Sequence, residues 1–425
     1  MRKASLGTIF LTIFLDLLGF GLVIPFLPGF ARHLGASDFV ASLTGAVYSL
    51  MQFLLVPMWG RLSDRIGRRP VLLTSIAATA AGMVVLGFSN TLFLLFVARV
   101  WTGAATANIA VAQAYIADVT SAENRARGMG LIGLAFGLGF ILGPFFGGEL
   151  ARVPIFGREG ALPAFVAAGL SVVNLILALG FLPESLPASV RAGAGAAGAL
   201  GRGGVGGAPP TATSRRSVLS LRGLRAAISD PDVGRALVVN FLVVFWFAGM
   251  EQTFRLFTDD AFHMSAAGTG RILGLVGITA AIIQGGLIGR LSRRFGEVRL
   301  LGAGLLLQTG GFSLLGLSSH LSAGGRTVLA GSAMLIAAGS GLVSPSVSSY
   351  VSRRAARDAQ GVTLGSLQSL SALARALGPA AGGLLYQTIS PSTPYYAGAL
   401  GMLLAAFLTL GMHPASSAPG PATVG

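Results

Sequence analysis

The sequence has no cysteine and a single lysine, Lys3. Disulfides, thiol catalysis and thiolate metal sites are therefore excluded. A phosphate-binding loop needs a lysine in its G-K-S/T motif, so ATP hydrolysis is excluded as an energy source. No H-E-x-x-H or G-x-S-x-G motif occurs either. We therefore expect a protein that is not an enzyme and that holds no metal and no cofactor.

Charge is also scarce, because only 11% of the 425 residues are charged while 53% are hydrophobic. Mean hydropathy is +0.75. Apolar runs follow one another from Ser5 to Met412, and each has the roughly 20 residues that a helix needs to cross the bilayer. A nucleic-acid binder would not combine a net charge of +15 with this hydropathy. The composition predicts a membrane protein with no nucleic-acid partner.

Twelve transmembrane helices are predicted from the apolar runs and their polar breaks. They span residues 5–28, 39–60, 71–89, 91–118, 128–151, 161–182, 235–258, 268–290, 297–318, 325–350, 360–386 and 394–413. The chain is therefore expected to be all-α, with six-helix bundles at 1–182 and 235–413. A cytoplasmic Gly/Ala-rich linker (183–234) and a tail (414–425) complete the predicted organisation.

Most of the 30 basic residues fall in the amino tail, the linker and the predicted 2–3, 4–5, 8–9 and 10–11 loops. By the positive-inside rule these segments are cytoplasmic. With an even number of helices, both termini lie on that side. We expect a multi-pass protein of the cell inner membrane.

Two phrases of the sequence occur twice. "GRLSDRIGRRPVLL" (60–73) returns 229 positions later as "GRLSRRFGEVRLL" (289–301), and "ILGPFFGGEL" (141–150) returns 235 positions later as "ALGPAAGGLL" (376–385). The carboxyl half is therefore a diverged copy of the amino half. Two similar six-helix halves that enclose a cavity near the bilayer midplane are typical of secondary transporters.

A side chain that carries protons through the transport cycle must be ionisable and must lie at membrane depth. None of the four histidines lies at membrane depth, and of the acidic residues only Asp16 and Glu251 lie well inside the predicted spans, with Glu149 near a helix end. Because low dielectric favours the neutral form of a carboxylate, Asp16 and Glu251 are the proton-carrier candidates. The alternatives are that Asp16 is a fixed hydrogen-bonding group and that Glu251 forms an ordinary i,i+4 ion pair with Arg255.

A polar stripe marks predicted helix 4, where Arg99, Thr102, Thr106 and Gln113 share one face. Such a stripe would be unfavourable against lipid, so we expect it to face the cavity and Arg99 to take part in transport. The other candidates for the cavity wall are Gln52, Asn240, Phe247, Gln284, Gln368 and Arg375.

The loop at 60–73 predicts a gate. Asp64 lies at the end of predicted helix 2, where it would face the amino end of helix 11 near Gln360, and a carboxylate is stabilised at a helix amino terminus. This contact would close the cytoplasmic side. The alternative is that the arginines of the loop only anchor the topology through acidic lipid.

The same loop resembles the signature of the major facilitator superfamily. "LDLLGFGLVIPFLP" (15–28) is similar to the first helix of the tetracycline exporters in the drug:proton antiporter branch, and "RVWTGAATANIAVAQAYIADVT" (99–120) is similar to the superfamily's fourth-helix motif. The matching loop residues are Gly60, Leu62, Asp64, Arg65, Gly67, Arg68 and Arg69. The residues similar to the antiporter motif of helix 5 are Gly139, Gly143, Pro144, Gly147 and Gly148.

This resemblance implies roles for the motif residues. Arg68 and Asp118 would hold Asp64 by a charge relay, and the Gly-Pro motif of helix 5 would seal the pathway. In the second copy of the loop, Arg293 replaces the aspartate and Glu297 replaces an arginine, which predicts a weaker gate there.

The leading hypothesis is a proton-coupled efflux antiporter for drugs or tetracycline-like amphipathic compounds, which works by alternating access. Its partners would be a small-molecule substrate, protons and the lipid bilayer, and we expect a monomer. A metabolite or sugar transporter of the same superfamily is the alternative. An intramembrane enzyme or receptor is disfavoured because no motif and no large extramembrane domain supports it.

Overall fold

The computed structural model describes residues 6–106, 108–156, 160–186, 230–354 and 360–413, which are almost entirely helical. The helices are α1 (Leu6–Val23), α2 (Leu27–His33), α3 (Asp38–Ile66), α4 (Arg68–Gly87), α5 (Leu92–Ala105), α6 (Asn108–Val119), α7 (Ala122–Leu150), α8 (Ala161–Phe181), α9 (Pro231–Phe262), α10 (Ala266–Ile282), α11 (Ile288–Phe295), α12 (Glu297–Ser318), α13 (Gly325–Arg354), α14 (Gln360–Thr388) and α15 (Thr393–Leu410). A π-helical turn, Ile283–Leu287, joins α10 to α11. Most of the predicted linker and the whole predicted tail lie outside the described residues.

Eleven helical segments in the described part of the chain are long and apolar enough to cross a membrane. The twelfth, α14, has 29 residues and is richer in serine and glutamine. It packs between α3 and α9 and is therefore shielded from lipid on two sides. The chain is an all-α membrane protein with the predicted twelve spans.

The two halves repeat the same packing. In the first half α1 packs on α7, α3 on α5 and α4 on α8; in the second half α9 packs on α14, α10 on α13 and α12 on α15. The halves meet along two corresponding seams, α3 with α14 and α7 with α10. These pairs give two pseudo-symmetric six-helix bundles, which confirms the inference from the repeated phrases.

Glycines at repeated positions bring helices of one half together. A methyl group on Gly143 of α7 would lie 2.6 Å from the Cα of Gly21 in α1, and one on its repeat, Gly378 of α14, would overlap the carbonyl oxygen of Phe245 in α9. Contacts this close leave no room for a Cβ atom, and close backbone approach at small residues is how transmembrane helices pack tightly. Both copies of the Gly-Pro motif therefore form the same helix-to-helix seam.

The last glycine of the motif in each copy contacts the opposite half. A methyl group on Gly148 would lie 2.6 Å from the carbonyl oxygen of Ala266 at the start of α10. A methyl group on Gly383 would lie 3.3 Å from the Cα of Phe39 at the start of α3. One motif thus packs both within its half and across the interface between the halves.

The fourth span, predicted as one helix over 91–118, is broken between α5 and α6. Thr106 has an extended backbone at the break. The carbonyl oxygens of Ala104 and Ala105 accept hydrogen bonds from Trp59 (2.7 Å) and Ser75 (2.5 Å). These side chains replace the missing helical donors, which is the condition for a break at membrane depth.

The first span, predicted over 5–28, ends at Val23 and is followed by the short helix α2. Pro25 and Pro28 explain this difference, because proline has no N–H to donate and is favoured only in the first turn of a helix. Pro28 lies in the first turn of α2.

The halves are joined on one side of the molecule. We call the side of Gly67 and Gly296, next to the repeated arginine-rich loops, the basic side, and the opposite side the far side. On the far side Arg32 donates to both carboxylate oxygens of Asp260 at 2.7 Å, and Arg271 pairs with Glu149 at 2.7 Å. Each pair links one half to the other.

The glycine seam between α1 and α7 gives a stability prediction. Gly143→Ala will force the two helices apart and destabilise the protein by about 1–3 kcal/mol, as expected for overpacking. The measurement is the apparent melting temperature in detergent, which will fall.

Gly137→Ala, in the same helix, is the matched control, because a methyl group on Gly137 would meet no atom within 4 Å. It will leave the melting temperature unchanged or raise it slightly. An equal fall for both variants would contradict the packing described for α7.

Candidate functional site

A cationic and aromatic cluster lies where the fourth span is broken. Arg99 is 3% exposed, and its Nε donates to the carbonyl oxygen of Thr44 at 3.1 Å. Its guanidinium carbon lies 4.4 Å from the ring centroid of Tyr48, a cation–π distance. The Nη1 atom of Arg99 is buried and has no hydrogen-bond partner among the described residues. Arg99 thus retains a free donor inside the bundle.

Tyr48 connects this arginine to the other polar groups of the break. Its hydroxyl lies 3.1 Å from Thr106 Oγ1 and accepts a hydrogen bond from Gln52 Nε2 at 3.3 Å. Its ring stacks on Phe20 of α1 at 5.2 Å between centroids. Tyr48 is the centre of the cluster.

The carboxylate of Asp16 lies on α1 beside the cluster. It faces Asn108, the first residue of α6. The side-chain amide of Asn108 interacts with this carboxylate. Asp16 makes no ion pair with any described residue.

Glu251 approaches the same region from the second half. The charges of Arg375 and Arg99 act on its carboxylate. Arg375 of α14 is exposed. Arg255 pairs with Asp259 at 3.4 Å and donates to Met264, so the alternative of an ordinary Glu251–Arg255 ion pair is not supported.

A cavity of about 720 Å³ reaches Glu251. Among the predicted wall residues, Glu251, Phe247 and Gln284 line it. Its other walls are mostly apolar and come from α7, α9, α10 and α13. A cavity of this size with an apolar wall and few polar groups suits a drug-sized ligand.

The remaining predicted wall residues lie elsewhere in the bundle. Asn240 Nδ2 donates to Ser371 Oγ at 2.7 Å, which ties α9 to α14. Gln113 and Gln368 are exposed. A role in substrate contact stays a prediction for these three residues and for Gln52, Thr106 and Arg375.

The signature loop forms the implied charge relay. Arg68 Nη1 lies 2.5 Å from Asp64, and Arg68 Nε lies 3.1 Å from Asp118. Gly67 has a φ of +111°, which favours glycine and turns the chain between α3 and α4. Arg65 is exposed. The geometry is that of a loop held by one central arginine.

Asp64 forms no ion pair or hydrogen bond with the described residues of the second half. Its side chain is 62% exposed and its ion pair is to Arg68 of its own half. The side chains of residues 360–362, its expected partners, lie outside the described residues. The contact between Asp64 and α14 stays a prediction for a conformation closed on the basic side.

Sequence reasoning missed Glu184, which follows the sixth span. Its carboxylate accepts hydrogen bonds from the backbone N–H groups of Arg68 at 2.9 Å and Arg69 at 3.2 Å. Ser185 donates to Asp118 at 3.1 Å. An acidic residue directly after a span, on the side of the loop, was the available signal. Glu184 caps the amino end of α4 and ties the segment after the sixth span to the loop.

The family model of the Major Facilitator Superfamily matches residues 9–379 and 256–424. The chain belongs to this superfamily. Within it, the class C tetracycline resistance protein of Escherichia coli is 32% identical over 376 residues, which cover 87% of this chain and 86% of that protein. Major facilitator superfamily domain-containing protein 10 of Homo sapiens is 32% identical over 421 residues, covering 91% and 88%.

Solved structures agree with this assignment. The crystal structure of the human organic anion transporter MFSD10 (TETRAN) matches with a TM-score of 0.68 and 29% identity, over 95% of this chain and 98% of that chain. The nucleoside transporter NupG (D323A mutant) matches with a TM-score of 0.74 at 13% identity, over 96% and 99%, and shows the shared fold alone. The protein is a transporter of the major facilitator superfamily.

The cap formed by Glu184 gives a testable prediction. Glu184→Gln will weaken the two hydrogen bonds to the start of α4 by about 0.5–2 kcal/mol, the usual range for a lost helix cap. Hydrogen–deuterium exchange at the amides of Arg68 and Arg69 will speed up accordingly.

Glu297→Gln is the matched control, because it removes a carboxylate from the corresponding loop of the second half. It will leave exchange at the start of α4 unchanged. Unchanged exchange in Glu184→Gln would show that the cap does not hold the loop in the membrane-embedded protein.

Proposed function

We propose that this transporter is a proton-coupled efflux antiporter for amphipathic drug-like molecules, tetracyclines among them. The observation that carries the proposal is that two carboxylates, Asp16 and Glu251, lie within electrostatic range of the cluster of Tyr48 and Arg99. Similarity to tetracycline resistance proteins over most of the chain supports the substrate class. We assign the basic side, and with it both termini, to the cytoplasm of a cell with an inner membrane.

The charges of the cluster account for the coupling. With both carboxylates ionised, Asp16 and Glu251 balance Arg99 and Arg375. A proton on either carboxylate leaves a positive surplus, which opposes binding of a cation. A cationic substrate and a proton therefore compete for the same carboxylates, and competition at one site that opens alternately to the two sides produces antiport.

Alternating access would proceed by rocking of the two halves. In the described conformation the far side is held by the pairs of Arg32 with Asp260 and of Arg271 with Glu149. Closure of the basic side would bring Asp64 to the amino end of α14 while these pairs separate. Each contact would then mark one end of the cycle.

A second candidate, organic anion transport, is favoured by Arg375 and by the human relative. Arg375 is exposed, and its guanidinium group would bind a carboxylate or sulfonate. An anion would prefer the protonated cluster, because its positive surplus attracts negative charge. The substrate would then move together with a proton. Transport of a neutral metabolite or sugar, the earlier alternative, has no specific contact in its favour.

The sign of the proton change on binding separates the candidates. Adding a tetracycline or a cationic dye to detergent-solubilised protein at pH 7 will release on the order of one proton per molecule bound, because ligand and proton are reciprocally linked. An organic anion will instead cause proton uptake if the second candidate holds. A pH-indicator dye in weak buffer measures both.

Asp16→Asn and Glu251→Gln will each reduce proton release, and the double variant will abolish it. Glu149→Gln is the control, because that carboxylate lies in the far-side pair with Arg271 and will keep the release. Normal proton release from the double variant would exclude both carboxylates as the carriers.

A further inference from the structure

A second cavity, of about 960 Å³, lies between α3 and α5, and all the residues that line it belong to the first half. We call it the α3–α5 groove. Its α3 wall runs from Leu55 to Arg65, just before Gly67 on the basic side. This wall is about 15 Å long at 1.5 Å per helical residue, which is the hydrocarbon thickness of one leaflet. The α5 wall continues from Ala105 toward Phe93. The groove therefore begins near the basic-side surface of the bilayer and extends into its core.

The walls of the α3–α5 groove are apolar apart from two arginines. Trp59 and Trp101 supply the other polar nitrogen atoms of the lining, and both indole N–H groups are already used. They donate to the backbone carbonyls of Ala104 at 2.7 Å and Ala78 at 2.9 Å. The indole rings thus offer only apolar surface to a ligand. Trp101 and Met58 are 52% and 59% exposed, so hydrocarbon chains must cover this surface in the bilayer.

The two arginines, Arg61 and Arg65, lie one helical turn apart at the basic-side end of the groove, and both are exposed. Neither forms an ion pair or a hydrogen bond with the described part of the chain. Arg68 of the same loop differs, because Asp64 and Asp118 hold it. Asp64 does not line the groove. Two guanidinium groups without a protein partner therefore stand at the mouth of an apolar groove.

This combination of charge and apolar surface fits one class of ligand. Guanidinium groups bind phosphate through charge-assisted hydrogen bonds, and basic pockets between transmembrane helices bind the headgroups of acidic phospholipids. A soluble phosphate ester would pair with the arginines but leave the apolar walls uncovered. A zwitterionic lipid would cover the walls but bring a cationic group to two arginines. An anionic phospholipid satisfies both parts of the groove.

We propose that the α3–α5 groove binds an anionic phospholipid of the basic-side leaflet, with its headgroup on Arg61 and Arg65 and its acyl chains against Trp59 and Trp101. The groove shares no lining residue with the cavity that reaches Glu251, so the proposal does not depend on the transported substrate. Bound lipid also covers Trp59, whose hydrogen bond supports the break in the fourth span. Occupation of the groove therefore stabilises the first half.

The first test uses the tryptophans as reporters, because two of the three in the chain line the groove. Trp246→Phe removes the third, in α9. In mixed detergent micelles, brominated phosphatidylglycerol will quench Trp59 and Trp101 at a concentration roughly 25-fold lower than brominated phosphatidylcholine. Each of the two arginines contributes about fivefold to this preference. Unbrominated phosphatidylglycerol will relieve the quenching, and glycerol 3-phosphate in solution will not.

Variants of the two arginines test the headgroup contact in the same assay. Arg61→Gln combined with Arg65→Gln will abolish the preference for phosphatidylglycerol, whereas lysine at both positions will keep it because the charge is retained. Arg290→Gln combined with Arg294→Gln is the matched control. It makes the same change at the corresponding positions of the second-half loop, where both arginines are also exposed, and it will keep the preference.

Three results would overturn the site. Equal quenching by the two brominated lipids would show that the groove does not select anionic lipid. A preference that survives the double change at Arg61 and Arg65, or that is lost in the second-half control, would show a general attraction of basic loops for acidic lipid. Relief by glycerol 3-phosphate would show that a free phosphate suffices.

The second test measures the effect of the lipid on stability. Phosphatidylglycerol will raise the apparent melting temperature of the wild-type protein in detergent more than phosphatidylcholine does, because a ligand of the folded state stabilises it. The double glutamine variant will melt at the wild-type temperature without lipid, since both side chains are exposed, and will lose the additional rise. An equal rise in the variant would contradict a site at Arg61 and Arg65.

Discussion

A charged side chain within the bilayer must be paired or must face a polar space, and this requirement decides where the ionisable groups of the bundle lie. Arg99 pairs its charge with the ring of Tyr48 and the carbonyl of Thr44. Glu251 is balanced by Arg99 and Arg375. The break in the fourth span exists at the same level because Trp59 and Ser75 satisfy the carbonyl groups that it frees. The buried charges and the break in the fourth span therefore obey the same requirement, that every polar group has a partner where water is excluded.

The two halves share the same helix packing but differ in their charged residues. Gly143 and Gly378 occupy equivalent seams, whereas the described residues of the second half do not repeat the charge relay of Asp64, Arg68 and Asp118. There Glu297 pairs with Arg353 and Arg293 stands where the aspartate would be. Backbone contact tolerates only glycine, so it is preserved in both copies. Surface charge is less constrained, and the copies were free to diverge.

The fold could be predicted from the sequence because the patterns that indicate it are local. Apolar run length predicts the spans, and the repeated phrases predict the halves; the relay of Arg68 followed from a motif of fixed spacing. What these patterns missed depends on contacts between distant residues. Glu184 reaches the start of α4 from more than 100 positions away, and the break at Thr106 depends on donors from two other helices.

The far-side ion pairs are weak enough to separate during a transport cycle. Arg32 and Asp260 are 22% and 36% exposed, and Arg271 and Glu149 are 60% and 29% exposed, so each pair contributes only about 0–1 kcal/mol. On the basic side, a carboxylate at a helix amino terminus contributes about 0.3–1 kcal/mol and up to about 2 when partly buried. The contacts that hold one side closed therefore nearly equal those expected to hold the other. Two conformations within a few kcal/mol of each other both stay populated, so binding of a proton or a substrate is sufficient to shift the balance between them.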